Sequence, residues 1–108
     1  MTTDMFHLTA RRLDSPFVLV ELAGEVDVTS ARAFTEAVAN AAGRAPIVLD
    51  LTNVKYLDSA GFAALDGLLG ERRIAVVLAP HAPTRGAATL VGLPFHDTVD
   101  GAVAALRD

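Results

Sequence analysis

Residues 45–69 read APIVLDLTNVKYLDSAGFAALDGLL, and the hydrophobic period changes part-way along. Residues 46–51 (PIVLDL) form a short, β-branched, almost continuously apolar run, the pattern of a strand covered on both faces. From Ser59 onward Phe62, Leu65, Leu68 and Leu69 recur at helical spacing, Asp66 falls on the opposite side, and Gly70 closes the pattern. A buried strand giving way to a helix predicts an α/β chain.

The same reading extends outward in both directions. Residues 17–22 (FVLVEL) and 74–79 (IAVVLA) are further buried strands, and residues 5–13 (MFHLTARRL) alternate weakly, as an edge strand does. Residues 29–42 place Phe34, Ala37, Val38 and Ala41 on one helical face, with Thr29 or Ser30 as N-cap and Gly43 as stop. Pro83 opens a third helix, for which Ala87, Leu90 and Val91 are expected to face inward and Gly92 and Pro94 to end the turn. Asp97 or Thr98 caps a last helix with Val99, Val103 and Leu106 as its apolar stripe. No repeat, low-complexity tract or linker interrupts this order, so residues 1–108 are expected to form a single domain.

Composition excludes several classes of function. The chain has 108 residues, 52% of them hydrophobic, enough for one core. There is no cysteine, and therefore no disulfide framework, thiolate chemistry or cysteine-rich zinc site. The formal net charge of −4 repels phosphate backbones, so no nucleic-acid partner is expected. No apolar run approaches the roughly 18 residues of a membrane span and the N-terminus lacks a secretory pattern, so no membrane association is expected and a cytoplasmic location is. His7, His81 and His96 lie in separate segments without metal-ligand spacing. The serine-hydrolase elbow needs glycine where Leu57 stands, and the only lysine, Lys55, lacks a glycine-rich phosphate loop. Neither an enzyme nor a bound cofactor or metal is predicted.

Ser59 is one of three serines and follows Asp58 where strand turns to helix. A serine there can cap the first turn, and the same exposed N–H groups and positive dipole end can accept a phosphate. Asp27, Asp50 and Asp58 each fall near a strand end or a helix start, where carboxylates cap or make turns and where α/β chains also place functional groups. Gly61 reads either as close helix packing or as a place where a partner approaches the backbone.

LAGEVDVTSARAF (residues 22–34) and IVLDLTNVKYLDSAGFAAL (residues 47–65) together resemble the STAS domain of the bacterial anti-sigma factor antagonists. Gly24, Glu25, Asp27, Asp50, Tyr56, Asp58, Ser59 and Gly61 fit that family's two linked motifs in order. The resemblance implies a small mixed β-sheet flanked by helices. It implies a protein that, when unphosphorylated, binds a serine-kinase anti-sigma factor and so frees the sigma factor. Phosphorylation of Ser59 by that kinase, which brings ATP and Mg²⁺, would switch it off, and a separate serine phosphatase would reset it. The partner-binding set implied is Gly24, Glu25, Asp27, Thr29, Asp58, Ser59, Gly61 and Phe62. The close resemblance spans residues 17–69. Beyond it, residues are missing before the final helix, so the last strand is expected to be short or absent. The alternative implied by the looser C-terminal half is a STAS scaffold, or a subunit of a transport or stress-signalling assembly, without a phospho-switch.

Overall fold

The computed structural model describes residues 5–108; residues 1–4 of the expected single-domain span lie outside the described residues. Four strands and four helices follow one another as β1 (Phe6–Arg12), β2 (Val18–Val26), α1 (Ala31–Ala42), β3 (Ile47–Leu57), α2 (Ser59–Glu71), β4 (Ile74–Val77), α3 (Arg85–Leu90) and α4 (Val99–Arg107). The strands form one mixed sheet in the order β1-β2-β3-β4, antiparallel between β1 and β2 and parallel thereafter.

Register explains why the central strands are apolar throughout. Val20, Leu49 and Val76 lie side by side on one face, where Phe34 and Val38 of α1, Leu65 and Leu68 of α2 and Ala88 of α3 join them in the larger core. Leu19, Val48 and Ala75, one residue earlier on each strand, point to the other face and pack with Ala102 and Leu106 of α4. Both faces are covered, so alternation disappears from the sequence. Phe34, fully buried, meets Phe6 edge-on at 6.5 Å between ring centroids, which fixes α1 over the β1 side of the sheet.

Two sequence expectations change. Strand β3 runs to Leu57 rather than ending near Leu51, because its second half continues alongside β2 after β4 has stopped. Asp50 is therefore mid-strand, and its carboxylate accepts the Thr52 N–H at 3.0 Å. The buried Thr52 hydroxyl in turn accepts the Ala79 N–H at 3.1 Å, tying β3 to the chain leaving β4.

The second change concerns α3, which has only six residues and turns a different face inward. Ala88 is buried and Arg85 half-buried, whereas Ala87 is exposed and Leu90 and Val91 are 88% and 59% exposed. Arg85 and Ala88 are three apart and share a side of the helix. The Arg85 guanidinium donates to the Leu78 carbonyl at 2.9 Å, which holds that side against the sheet.

The last strand, expected to be short or absent, is indeed reduced to a single parallel bridge between Val77 and His96. Thr98, one of the two expected caps of α4, accepts the Gly101 N–H at 3.0 Å. Of the expected α4 stripe Leu106 is buried and Val99 and Val103 half-buried, with Ala102 completing it.

Candidate functional site

Parallel pairing of β2 with β3 brings Val26 opposite Leu57, so the chain leaves both strands at the same end of the sheet. Loops at the carboxyl ends of parallel strands are where α/β folds build their sites. The β2–α1 loop, residues 27–30, therefore lies beside the first turn of α2. Asp58 N–H donates to the Val26 carbonyl at 3.2 Å and closes the gap between the two exits.

The carboxylate of Asp58, not the hydroxyl of Ser59, caps α2. Asp58 has extended backbone angles (φ −83°, ψ −175°), and its Oδ1 accepts the Gly61 N–H at 2.8 Å. Its Oδ2 reaches the neighbouring loop and accepts the Val28 N–H at 3.2 Å. Ser59 becomes the first helical residue and is exposed. From sequence both Asp58 and Ser59 could cap; the shorter connection from Leu57 places the aspartate at the position with extended angles.

Asp27 organises the loop from inside. Its Oδ1 accepts the Thr29 hydroxyl at 2.6 Å, the Thr29 N–H at 2.8 Å and, more loosely, the Ser30 hydroxyl at 3.5 Å. These donors, the Thr29 hydroxyl first and its N–H next, hold the Asp27 carboxyl below the usual aspartate range. The Asp27 carbonyl accepts the N–H groups of Ser30 and Ala31, forming the turn that starts α1. Ser30 stands at the N-cap position, but its buried hydroxyl accepts the Asp27 N–H at 3.1 Å and makes no capping bond to the helix.

Two of the expected partner-binding residues have roles in the backbone. Gly24 has φ +108°, and a Cβ there would lie 2.4 Å from the Met5 carbonyl oxygen, which accepts the Glu25 N–H. Gly61 is buried, and a Cβ on it would lie 2.8 Å from both the Val26 carbonyl oxygen and Leu57 Cδ2. Gly61 thus faces the protein, and helix packing accounts for it.

The remaining expected residues reach the surface. Glu25, Thr29 and Ser59 are exposed, and Asp27, Asp58 and Phe62 are half-buried. Phe62 packs on the core and also lines, with Ala63, Asp66, Val91 and Leu93, a shallow groove between α2 and the end of α3. Val28, absent from the expected set, is 74% exposed beside Asp58. Its sequence signal is an apolar residue held between two polar turn-formers. Tyr56, 55% exposed, stands opposite Glu25 across the β2–β3 pair.

This surface carries acidic side chains, the hydroxyls of Thr29, Tyr56 and Ser59, and isolated apolar groups. A broad concavity lies at the other end of the sheet, between the end of β1 and the end of α1, near Arg11, Arg12, Phe17 and Gly43. Among the described residues no cluster of three His, Cys, Asp or Glu could hold a metal ion, and no helix is long and apolar enough to cross a membrane. An exposed, carboxylate-bounded surface suits recognition by a macromolecule better than enclosure of a small ligand.

The family described as STAS domain matches residues 7–99. An anti-sigma factor antagonist from Mycobacterium paratuberculosis is 30% identical, with a TM-score of 0.81 over 99% of this chain and 98% of that one. The anti-sigma factor antagonist SpoIIAA in its unphosphorylated form shares the fold at 18% identity, with a TM-score of 0.66 over 94% and 96% of the two chains. An antisigma-factor antagonist STAS domain from Rhodobacter sphaeroides shares it at 19% identity, with a TM-score of 0.59 over 75% and 95%. No curated protein matches the sequence.

Proposed function

The chain belongs to the STAS domain family, and we propose that it acts as an anti-sigma factor antagonist. In this reading the unphosphorylated protein binds a serine-kinase anti-sigma factor and frees the sigma factor. The kinase holds ATP and Mg²⁺; Ser59 Oγ attacks the γ-phosphorus, its proton passes to a base on the kinase, and ADP leaves. The phosphorylated protein no longer binds, and a serine phosphatase restores it by hydrolysis. The chain itself is a binding module rather than an enzyme, working in the cytoplasm.

The observation that carries this reading is the position of Ser59: first in α2, exposed, and relieved of capping by Asp58. A serine bonded into its own helix would have to be pulled out before it could react. Ser59 stands ready instead, beside the exposed loop that a docked kinase would also meet. The likeness over nearly the whole chain to an anti-sigma factor antagonist at 30% identity supports the partner class.

The test is to incubate the protein with the anti-sigma factor kinases of its host, ATP and Mg²⁺, and to locate phosphate by mass spectrometry. Phosphate on Ser59, together with capture of a kinase by the unmodified protein alone, is the expected outcome. Capture of partners that are indifferent to Ser59 modification would replace the switch with a constitutive scaffold.

A further inference from the structure

Asp58 joins two parts of the candidate surface that have no covalent reason to stay together. One oxygen receives Gly61 N–H in the first turn of α2, and the other receives Val28 N–H in the β2–α1 loop, thirty residues earlier. Within the loop, Asp27 satisfies Thr29 and Ser30 but leaves Val28 N–H to Asp58. The loop is thus shaped by one carboxylate and fastened to α2 by another.

From this geometry we infer that Asp58 is the positioning residue through which phosphorylation of Ser59 unfastens the Val28 loop. The inference rests on the reading of Ser59 as the modified residue and adds how modification reaches the rest of the surface. A phosphate on Ser59 carries about −1.5 to −2 charges and strong acceptor oxygens next to the Asp58 carboxylate. It competes for the N–H groups of the first turn of α2, including the one Asp58 now holds, and it repels that carboxylate. Asp58 has two hydrogen bonds to lose. The capping bond can be replaced by the phosphate itself; the bond to Val28, which is exposed, passes to water and no longer holds the loop to α2. Phosphorylation therefore changes the partner surface at two places, adding charge at Ser59 and releasing an exposed valine and the turn around it.

Two substitutions separate the parts of this device. Asp58→Asn keeps an oxygen to accept Gly61 N–H while turning its NH2 group, a donor, toward Val28 N–H, which then has no acceptor there. Val28→Pro removes the N–H altogether; Val28 is the second residue of the turn closed by Ser30 N–H on the Asp27 carbonyl, a position proline favours.

The experiment is an NMR measurement of the Val28 amide in the unmodified protein, in protein carrying phosphoserine at 59 introduced during synthesis, and in Asp58→Asn. The expected result is an upfield move of the Val28 amide proton and hydrogen exchange about tenfold faster in both altered forms, since a bond to a charged acceptor is lost. Gly61 N–H should stay protected in Asp58→Asn. Both Asp58→Asn and Val28→Pro should bind the anti-sigma kinase about tenfold more weakly without phosphate. An unchanged Val28 amide in the phosphoserine protein overturns the inference, and so does undiminished kinase binding by Val28→Pro. The phosphoserine form needs no substitution elsewhere, so it decides even if Asp58→Asn does not fold. Failure to find any anti-sigma kinase partner would instead count against the proposed function, leaving the amide result to stand alone.

Discussion

The guanidinium of Arg85 lies 2.9 Å from the Asp97 carboxylate, bridging the start of α3 to the segment that follows it. The same group is 5.0 Å from the centre of the Phe95 ring and donates to Leu78, so one side chain fastens the whole stretch that stands in place of a fifth strand. Arg85→Ala should therefore lower stability by about 1–2 kcal/mol, mainly through the orphaned Leu78 carbonyl and the lost ring contact. For a domain of this size that is a fall in melting temperature of roughly 5–15 °C. Arg85→Lys should recover only part of it, because an ammonium cannot serve the carbonyl, the carboxylate and the ring together. An Arg85→Lys variant that melts together with the unmodified protein would show that the planar guanidinium is unimportant.

Gly61 and Gly67 sit in the same helix and should respond oppositely to alanine. A Cβ at 61 collides with backbone at Val26, so Gly61→Ala should push α2 outward at a cost of about 1–3 kcal/mol. A Cβ at 67 meets nothing within 4 Å, so Gly67→Ala should stabilise by roughly 0.5–1 kcal/mol through helix propensity. Denaturant midpoints of the two variants check the signs.

The loop at Asp27 should loosen in acid. Bonds from the Thr29 hydroxyl and N–H lower the Asp27 pKa in the folded state, so its carboxylate stabilises the fold above the ordinary aspartate value and loses that contribution as pH falls through the lower, folded value. Carbon-detected NMR should find the Asp27 midpoint below that of an unstructured peptide, with Thr29 amide protection declining over the same window. Asp27→Asn should leave the Thr29 amide insensitive to pH in that range.

Phosphorylation of Ser59 should abolish binding while sparing the fold. Burying an added charge against a partner costs roughly 3–5 kcal/mol, or about two to three and a half decades in affinity. The dipole and N–H groups of α2 offset part of the repulsion in the free protein. The phosphorylated chain should keep its far-UV circular dichroism and melt within a few degrees of the unmodified one. Ser59→Ala should bind and resist inactivation; Ser59→Asp should bind weakly. Titration calorimetry showing equal affinity of modified and unmodified protein would sink this mechanism.

Much of this architecture was readable from the period of apolar residues, and the failures have physical causes. The runs at 17–22, 46–51 and 74–79 are apolar because α1 and α2 cover one face and α4 the other, a signal that survives without alignment. The second half of β3 carries exposed Asn53, Lys55 and Tyr56, because it runs past the end of β4 and looks like a loop. Helix α3 is too short to display a period, and its orientation follows from Arg85, a long-range effect that hydrophobic spacing does not record. At the site the motif named the candidate residues, whereas how Asp58 and Ser59 divide the capping shows only in the fold. Asp58 and Ser59 are equally good caps on paper, and Gly24 and Gly61 serve backbone geometry.

The single bridge at His96 also bears on how molecules of this protein meet one another. A strand with an open border is a template on which a second chain can add itself, and the two borders of this sheet are guarded by different means. On one side β4 is only four residues long, and His96 already occupies the Val76 carbonyl and the Leu78 N–H. On the other, β1 ends in the exposed pair Arg11 and Arg12, which disfavours close stacking of a second copy in register. Crowded molecules of this chain would therefore have to associate through side-chain surfaces rather than by extending the sheet, which disfavours fibre-like aggregation.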